Sequence, residues 1–162
     1  MDNIVEIDET YVGGKFENMN RKKLHEHRDS GKDNKTAVMG LLERDGKAKL
    51  TVIGKNTFKE VIRQNVAPSA IVITDSHLSY SGLQNEFAAH ETVNHNAGEY
   101  KRDNWHTNTI EGFWSQLKRT LKGTHIHCDP KYLQLYADEV AFRYMNRERQ
   151  SEMFYIILSH VV

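Results

Sequence analysis

Hydrophobic and polar positions in the first third of the chain alternate with a period of about two residues, which is typical of strands. Three segments rich in β-branched residues show this pattern, and they cover residues 3–14, 36–44 and 47–54. The Asp45-Gly46 pair between the last two segments predicts a tight hairpin. Residues 15–35 are polar and charged, so we expect an exposed loop between the first two strands.

The rest of the chain predicts alternating helices and strands and then an all-helical end. The predicted elements are a helix over 56–66 capped by Asn56 or Thr57, a strand over 70–75, a short helix over 78–89, a strand over 91–95, and helices over 108–123, about 130–147 and about 152–160. A three-stranded antiparallel meander followed by βα units predicts an α/β fold, in which helices flank a mixed sheet. This order matches the ribonuclease H-like architecture. Because no linker or repeat interrupts the order, we expect residues 1–162 to form one domain.

Composition narrows the expected setting of the protein. The chain has 162 residues with 22 basic and 22 acidic side chains, so any site for a polyanion must come from local clustering. Its single cysteine, Cys128, excludes an internal disulfide and fits a reducing compartment. No apolar run approaches the roughly 20 residues that span a bilayer, and the N-terminus lacks a signal-peptide pattern. We therefore expect a soluble, cytoplasmic protein.

The segment NTIEGFWSQLKRTLKG, residues 108–123, places an acid at the edge of an apolar stripe. At about 100° per residue, Lys118 and Lys122 lie within about 20° of Glu111, and Asn108 lies within about 60°. Such a row of polar side chains is often only a solvated helix face. Two acids elsewhere in the chain point to a different interpretation.

Asp8 lies inside the first predicted strand, where aspartate is disfavoured. Asp75 ends the apolar run AIVITD, and α/β sheets bind ligands at the carboxyl ends of their strands. Asp75 could instead cap the next helix, and Asp8 could belong to an edge strand. In the inferred order, however, the first strand is central and the strand that ends at Asp75 pairs beside it, so a helix packed across the sheet can bring Glu111 to the same place. Converging carboxylates need a cation, and Mg²⁺ is suited to them because it takes oxygen ligands.

Several segments resemble the catalytic domain of bacterial insertion-sequence transposases, in the ISXO-type branch of the DDE superfamily. They are EIDETYVGGK, VMGLLERDGKAKLTVI, VITDSHLSY, NTIEGFWSQLKR and DEVAFRYMNR. The resemblance implies a ribonuclease H-like core that uses Mg²⁺, with Mn²⁺ as a substitute, to cut double-stranded DNA at element ends and join the 3′-hydroxyls to a target. It also implies a homo-oligomer on DNA and a nucleoid-associated location in the bacterial cytoplasm.

The resemblance also assigns roles to individual residues. Asp8 is similar to the first metal-binding acid and Asp75 to the second. Glu111, followed by Lys118, is similar to the glutamate–lysine pair of many transposases, which makes Glu111 the third ligand. Some relatives use an asparagine there, so Asn108 is the alternative.

Predicted contacts to DNA surround these acids. Lys118, Arg119 and Lys122 are expected to face phosphates. His95 and His106 flank the loop before the helix and are expected to contact the scissile phosphate, unless they are packing or surface histidines. His125, His127 and Cys128 cluster, but no second group of ligands accompanies them, and we do not predict a zinc site there.

One departure from the family leaves rival functions open. Members of this branch usually have an N-terminal zinc-binding and helix-turn-helix region, whereas seven residues precede Asp8 here. One rival is therefore a non-catalytic remnant of a decayed transposase that binds DNA or protein at most. The other is a nuclease that hydrolyses DNA and never joins it.

Overall fold

The computed structural model describes residues 1–13, 35–44, 46–54, 57–93, 106–124 and 128–159. Within these ranges the strands are β1 Ile4–Val12, β2 Thr36–Glu43, β3 Ala48–Val52, β4 Ile71–Asp75 and β5 Ala89–Val93. The α-helices are α1 Phe58–Asn65, α2 Asn108–Gly123, α3 Leu133–Met145 and α4 Met153–Leu158. No helix among the described residues is both long and apolar enough to cross a membrane.

The five strands form one mixed sheet in the order β3-β2-β1-β4-β5. β1 pairs with β2 and β2 with β3 in antiparallel fashion, which confirms the predicted meander. β4 is parallel to β1 on one side and to β5 on the other. The sequence prediction that the first strand is central, with the strand ending at Asp75 beside it, is therefore confirmed.

Each face of the sheet is covered by helix, and β1 contributes to both faces because its side chains alternate. Val5 and Ile7 pack into the core beneath α1. The residues between and after them, Glu6 and Asp8, therefore face the opposite side, where α2 and α3 pack. The core on that side consists mainly of Val38, Leu42, Leu50, Ile110, Phe113, Trp114, Leu117, Leu133, Ala137 and Val140.

The N-terminus of α1 follows from its local sequence. Thr57 is the cap, since its side chain accepts a hydrogen bond from the backbone N–H of Glu60 while the Glu60 side chain accepts one from Thr57. This reciprocal pair satisfies two amides that the helix leaves unbonded. One of the two predicted caps is thereby confirmed, and the other, Asn56, lies outside the described residues.

The single helix predicted over residues 78–89 is wrong. The structure has two short 3₁₀ turns, Leu78–Tyr80 and Leu83–Asn85, and Ala89 already begins β5. Gly82 lies between the turns with φ 93°, a left-handed conformation that suits glycine and interrupts a helix. The C-terminal helices are also shorter than predicted, because α3 and α4 are each preceded by a 3₁₀ turn.

We expect Gly40→Ala to destabilise the fold by about 1–3 kcal/mol, because overpacking a filled core displaces its neighbours. A Cβ at Gly40 of β2 would lie 2.6 Å from Cη2 of Trp114 and 3.1 Å from Cδ1 of Ile110. Gly54→Ala is the matched control, since a Cβ there meets nothing within 4 Å. Urea unfolding measures both variants, and equal stability for the two would contradict the close approach of α2 to β2.

Candidate active site

Asp8 lies on the central strand β1, and Asp75 ends β4, the parallel neighbour of β1. In the register of β1 and β4, Glu6 is opposite Ile73, and Asp8 and Asp75 each follow two residues later on the same face. The negative charge of Asp75 contributes to the raised pKa of Asp8, as expected for neighbouring carboxylates. The pairing of these two acids, inferred from the sequence, agrees with the strand order.

The carboxyl group of Asp8 is in an unfavourable place for a negative charge. Its pKa is raised from 3.8 to about 6, mainly by burial, and the charges of Glu9 and Asp75 act in the same direction. Trp114 acts in the opposite direction, because its Nε1–H donates a 2.7 Å hydrogen bond to Asp8 Oδ2 and favours the ionised form. A cation bound beside Asp8 would stabilise the ionised carboxylate. Trp114 is a core residue, and its indole N–H adds this polar contact to its packing.

Glu6, which the sequence analysis did not single out, anchors the start of α2. Its side chain is fully buried. Glu6 Oε2 accepts from the backbone N–H of Ile110 at 3.1 Å, and Oε1 accepts from Thr109 Oγ1 at 3.0 Å and from Arg44 Nε at 3.2 Å. A carboxylate at a helix N-terminus is stabilised by the helix dipole and by the unbonded amides there. No sequence pattern marks Glu6, because only the packing of α2 over β1 buries this acid and requires it to have a partner.

His106 belongs to the same group of side chains. Its Nδ1 lies 3.6 Å from Glu6 Oε1, and its backbone carbonyl accepts from Arg44 Nη2 at 3.4 Å. The ring is about one quarter exposed, at 26%. A contact of His106 with the scissile phosphate therefore remains a prediction, while its position next to the start of α2 is observed.

α3 lies beside α2 and covers the far edge of the sheet. Its Gln134 accepts from the backbone N–H of Val52 at 2.8 Å and donates to the carbonyl of Leu50 at 2.9 Å, which fixes α3 over β3. Phe113 of α2 meets Tyr144 of α3 edge to face, with ring centroids 4.9 Å apart. Phe113 therefore marks the side of α2 that faces α3 and β3.

Glu111 is on the other side of α2. It is about 160° around the helix from Phe113, which turns it away from α3. Its side chain is exposed, and Oε1 accepts from Thr107 Oγ1 at 3.3 Å. Glu111 thus lies on the exposed side of α2 that faces away from α3.

Within the described residues, no group of three or more His, Cys, Asp or Glu side chains is close enough to hold a metal ion. The convergence of Glu111 with Asp8 and Asp75 therefore stays a prediction. The pair of aspartates still fits Mg²⁺ chemically, because that ion binds through one or two carboxylates together with substrate phosphates and water. The buried, charge-crowded carboxyl of Asp8 is a second reason, since a divalent cation would relieve it.

The remaining predicted residues divide into two groups. Asn108, Lys118, Arg119 and Lys122 are all exposed on α2. His95, Trp105, His125 and His127 lie outside the described residues, as does most of the basic loop over 15–35.

Comparisons with known proteins agree with the sequence resemblance. A family model described as an ISXO2-like transposase domain matches residues 1–145. A protein of Haemophilus influenzae described as an uncharacterized transposase-like protein is 33% identical over 98 residues, which cover 60% of this chain and 77% of that protein. No solved structure matches the chain.

Proposed function

The chain belongs to the ISXO2-like transposase domain family, and from this premise we propose that it is a ribonuclease H-like catalytic domain that cuts and joins DNA strands. The observation that carries the proposal is that Asp8 and Asp75 each follow the paired residues Glu6 and Ile73 by two positions on adjacent strands, and that the charge of Asp75 raises the pKa of Asp8. A central β1 flanked by an antiparallel meander and by parallel strands supports the ribonuclease H-like assignment. The substrate is double-stranded DNA at element ends, and several copies of the chain act together on it.

Asp8 and Asp75 would hold Mg²⁺ or Mn²⁺, and Glu111 would complete the set from α2. A bound ion would act as a Lewis acid, which makes the attacking oxygen easier to deprotonate and stabilises negative charge on the leaving oxygen. Trp114 holds the Asp8 carboxylate in a fixed orientation through its 2.7 Å hydrogen bond. Glu6 fixes the start of α2 and thereby the place from which Glu111 extends.

The reaction consists of two phosphoryl transfers. In the first, the oxygen of water bonds to phosphorus at the element end, the bond to the 3′-oxygen breaks, one proton of the water passes to solvent, and the released 3′-oxygen takes up a proton to become a hydroxyl. In the second, the freed 3′-hydroxyl attacks a target phosphodiester, loses its proton, and displaces the target 3′-oxygen. Each step forms one P–O bond and breaks one, so the protein contributes by positioning the groups and stabilising charge.

DNA would lie along the exposed polar side of α2. Lys118 and Lys122 lie within about 20° of Glu111 around the helix, and Arg119 is exposed next to them. Their charges are local, since the chain as a whole has a net charge of zero. Phosphate contacts from such side chains position the duplex without reading its sequence.

The direct test incubates the protein with duplexes copied from both flanks of its gene and increasing Mg²⁺ or Mn²⁺. We expect strand nicks at one position in each flank, and joining when precleaved ends and a target plasmid are supplied. A non-catalytic remnant would cut nothing at any metal concentration. A simple nuclease would nick the duplexes and never join precleaved ends.

The third ligand is tested by Glu111→Gln and Asn108→Ala. We expect Glu111→Gln to lower the Mg²⁺-dependent nicking rate by about 100-fold, because losing one ligand misplaces the reacting groups. Asn108→Ala is expected to stay within a few-fold of the unmodified protein. Ser115→Ala, an exposed residue one turn after Glu111, is the control. The reverse ranking would assign the ligand to Asn108.

A further inference from the structure

A pocket of about 400 Å³ opens beyond the carboxyl ends of β4 and β5. Asp75 is part of its wall, and His77, Gln84, His90 and Thr92 line it as well. Pockets of about 300–1,000 Å³ are the usual size for small ligands, so this one has room for one heterocyclic ring system. Because Asp75 belongs to both, the pocket adjoins the candidate metal-binding pair.

The rim of the pocket is a short, well-anchored turn. The backbone N–H of His77 donates to Asp75 Oδ1 at 3.0 Å, and that of Ser79 donates to His77 Nδ1 at 3.3 Å. The buried Tyr80 closes the turn by donating its hydroxyl to Glu9. Between these anchors, Leu78 is 87% exposed. The turn therefore holds an apolar side chain out into solvent, directly beside the pocket.

The lining favours an uncharged ligand that forms hydrogen bonds. Among the described residues that line the pocket, none is a lysine or an arginine, and Asp75 would repel a phosphate. Burial lowers the pKa of His90, which keeps its imidazole neutral, and its Nε2 lies 2.9 Å from Thr74 Oγ1. Gln84 and Thr92 supply amide and hydroxyl groups. A flat heterocycle with donors and acceptors on its edge matches this combination.

We propose that this pocket receives one unpaired nucleobase from the DNA strand next to the cleaved phosphodiester, while Leu78 takes the place of that base in the stack. The inference rests on the proposed function, since it requires DNA to lie across Asp75. Apolar side chains that enter a duplex separate adjacent bases, and enzymes that extrude a base hold it in a close-fitting polar pocket. Asp75 and Leu78 both line the pocket, so the pocket and the exposed leucine lie next to one member of the candidate metal-binding pair.

The first test uses flank duplexes with 2-aminopurine at successive positions around the nick, bound to the full chain with Ca²⁺ in place of Mg²⁺. We expect a several-fold rise in fluorescence at one position, because 2-aminopurine brightens when it leaves the stack. Leu78→Ala is expected to abolish the rise. Leu135→Ala, which removes a leucine 65% exposed on α3, should leave it unchanged.

The second test fills the pocket with Thr92→Trp, a change that an exposed strand position tolerates. We expect this variant to nick ordinary duplexes at least about tenfold more slowly than the unmodified protein. Its nicking rate should return towards normal on duplexes that carry an abasic nucleotide at the position where 2-aminopurine fluorescence rises, because no base has to enter the pocket there. Its urea unfolding curve shows whether it folds. If it does not fold, Leu78→Ala with the same abasic duplex replaces it, and the same recovery is expected.

The outcomes separate the two proposals. If the unmodified protein nicks the duplexes but no 2-aminopurine position becomes more fluorescent, the base-binding role of the pocket is wrong and the proposed function is unaffected. Slow nicking by Thr92→Trp that an abasic nucleotide does not restore would also overturn that role of the pocket. A chain that neither binds nor cuts the duplexes in the presence of divalent metal would overturn both.

Discussion

Replacing Asp8 with asparagine is expected to abolish Mg²⁺-dependent nicking while leaving the protein at least as stable as before. Asparagine keeps an oxygen that can accept from Trp114 Nε1, so the packing of α2 is retained. It removes the negative charge that a divalent ion would need. We expect the nicking rate to fall by at least about 1,000-fold, as when a group that positions the reacting atoms is lost.

The stability gain from Asp8→Asn should depend on pH. The pKa of Asp8 is about 6 in the folded protein against an ordinary 3.8, so the folded state binds the proton more tightly than the unfolded state. Stability of the unmodified protein therefore falls as pH rises between about 4 and 6, by at most about 3 kcal/mol. The stability of Asp8→Asn does not fall over this pH range. Its gain in stability over the unmodified protein should therefore be absent below about pH 4 and complete above about pH 6.

Urea unfolding in EDTA between pH 3.5 and 8 measures this advantage directly. Asp138→Asn, the same change at an exposed position of α3, is the control and should affect neither nicking nor stability. Retained nicking by Asp8→Asn would remove Asp8 from the reaction. A stability advantage that does not change with pH would contradict the buried, charge-crowded setting of its carboxyl group.

Glu6→Ala is expected to have the largest effect on folding, a loss of about 3–5 kcal/mol, because breaking a buried ion pair leaves its partner uncompensated. The change would leave the Arg44 guanidinium without its carboxylate partner and remove the acceptor of the Ile110 amide. Glu6→Gln keeps an acceptor oxygen and should cost less. Hydrogen exchange at the Ile110 amide should accelerate in both variants, which reports the start of α2 specifically.

The matched control for Glu6 is Glu139→Ala on α3. Glu139 also pairs with an arginine, Arg143, at 2.9 Å, but both side chains are exposed. Exposed pairs of this kind contribute at most about 1 kcal/mol, and we expect a loss below about 0.5 kcal/mol here. Similar losses for Glu6→Ala and Glu139→Ala would show that the burial of Glu6 has no energetic consequence.

Much of the fold was predictable because its elements follow local rules. Alternating residues and the Asp45-Gly46 pair indicated the meander, and a cap at Asn56 or Thr57 indicated the start of α1. The helix predicted over residues 78–89 failed, since Gly82 in a left-handed conformation outweighs the helical spacing around it.

The candidate site was predictable in part. Asp8 and Asp75 followed from the order of the strands, because a central first strand with a parallel neighbour brings those positions together. Glu6 did not follow, since on a strand it looks like any polar residue that faces water. Its importance appears only in the folded structure, where α2 covers β1 and buries the Glu6 carboxylate completely.

The sequence by itself determined the type and order of most elements, the family, and Asp8, Asp75 and Glu111 as the acids worth considering. Tertiary structure alone decided what each of those side chains meets. The two contacts that shape the site, Glu6 to Ile110 and Asp8 to Trp114, join residues 104 and 106 positions apart. Periodicity tells which face of a strand a side chain occupies, but what covers that face depends on how distant segments pack.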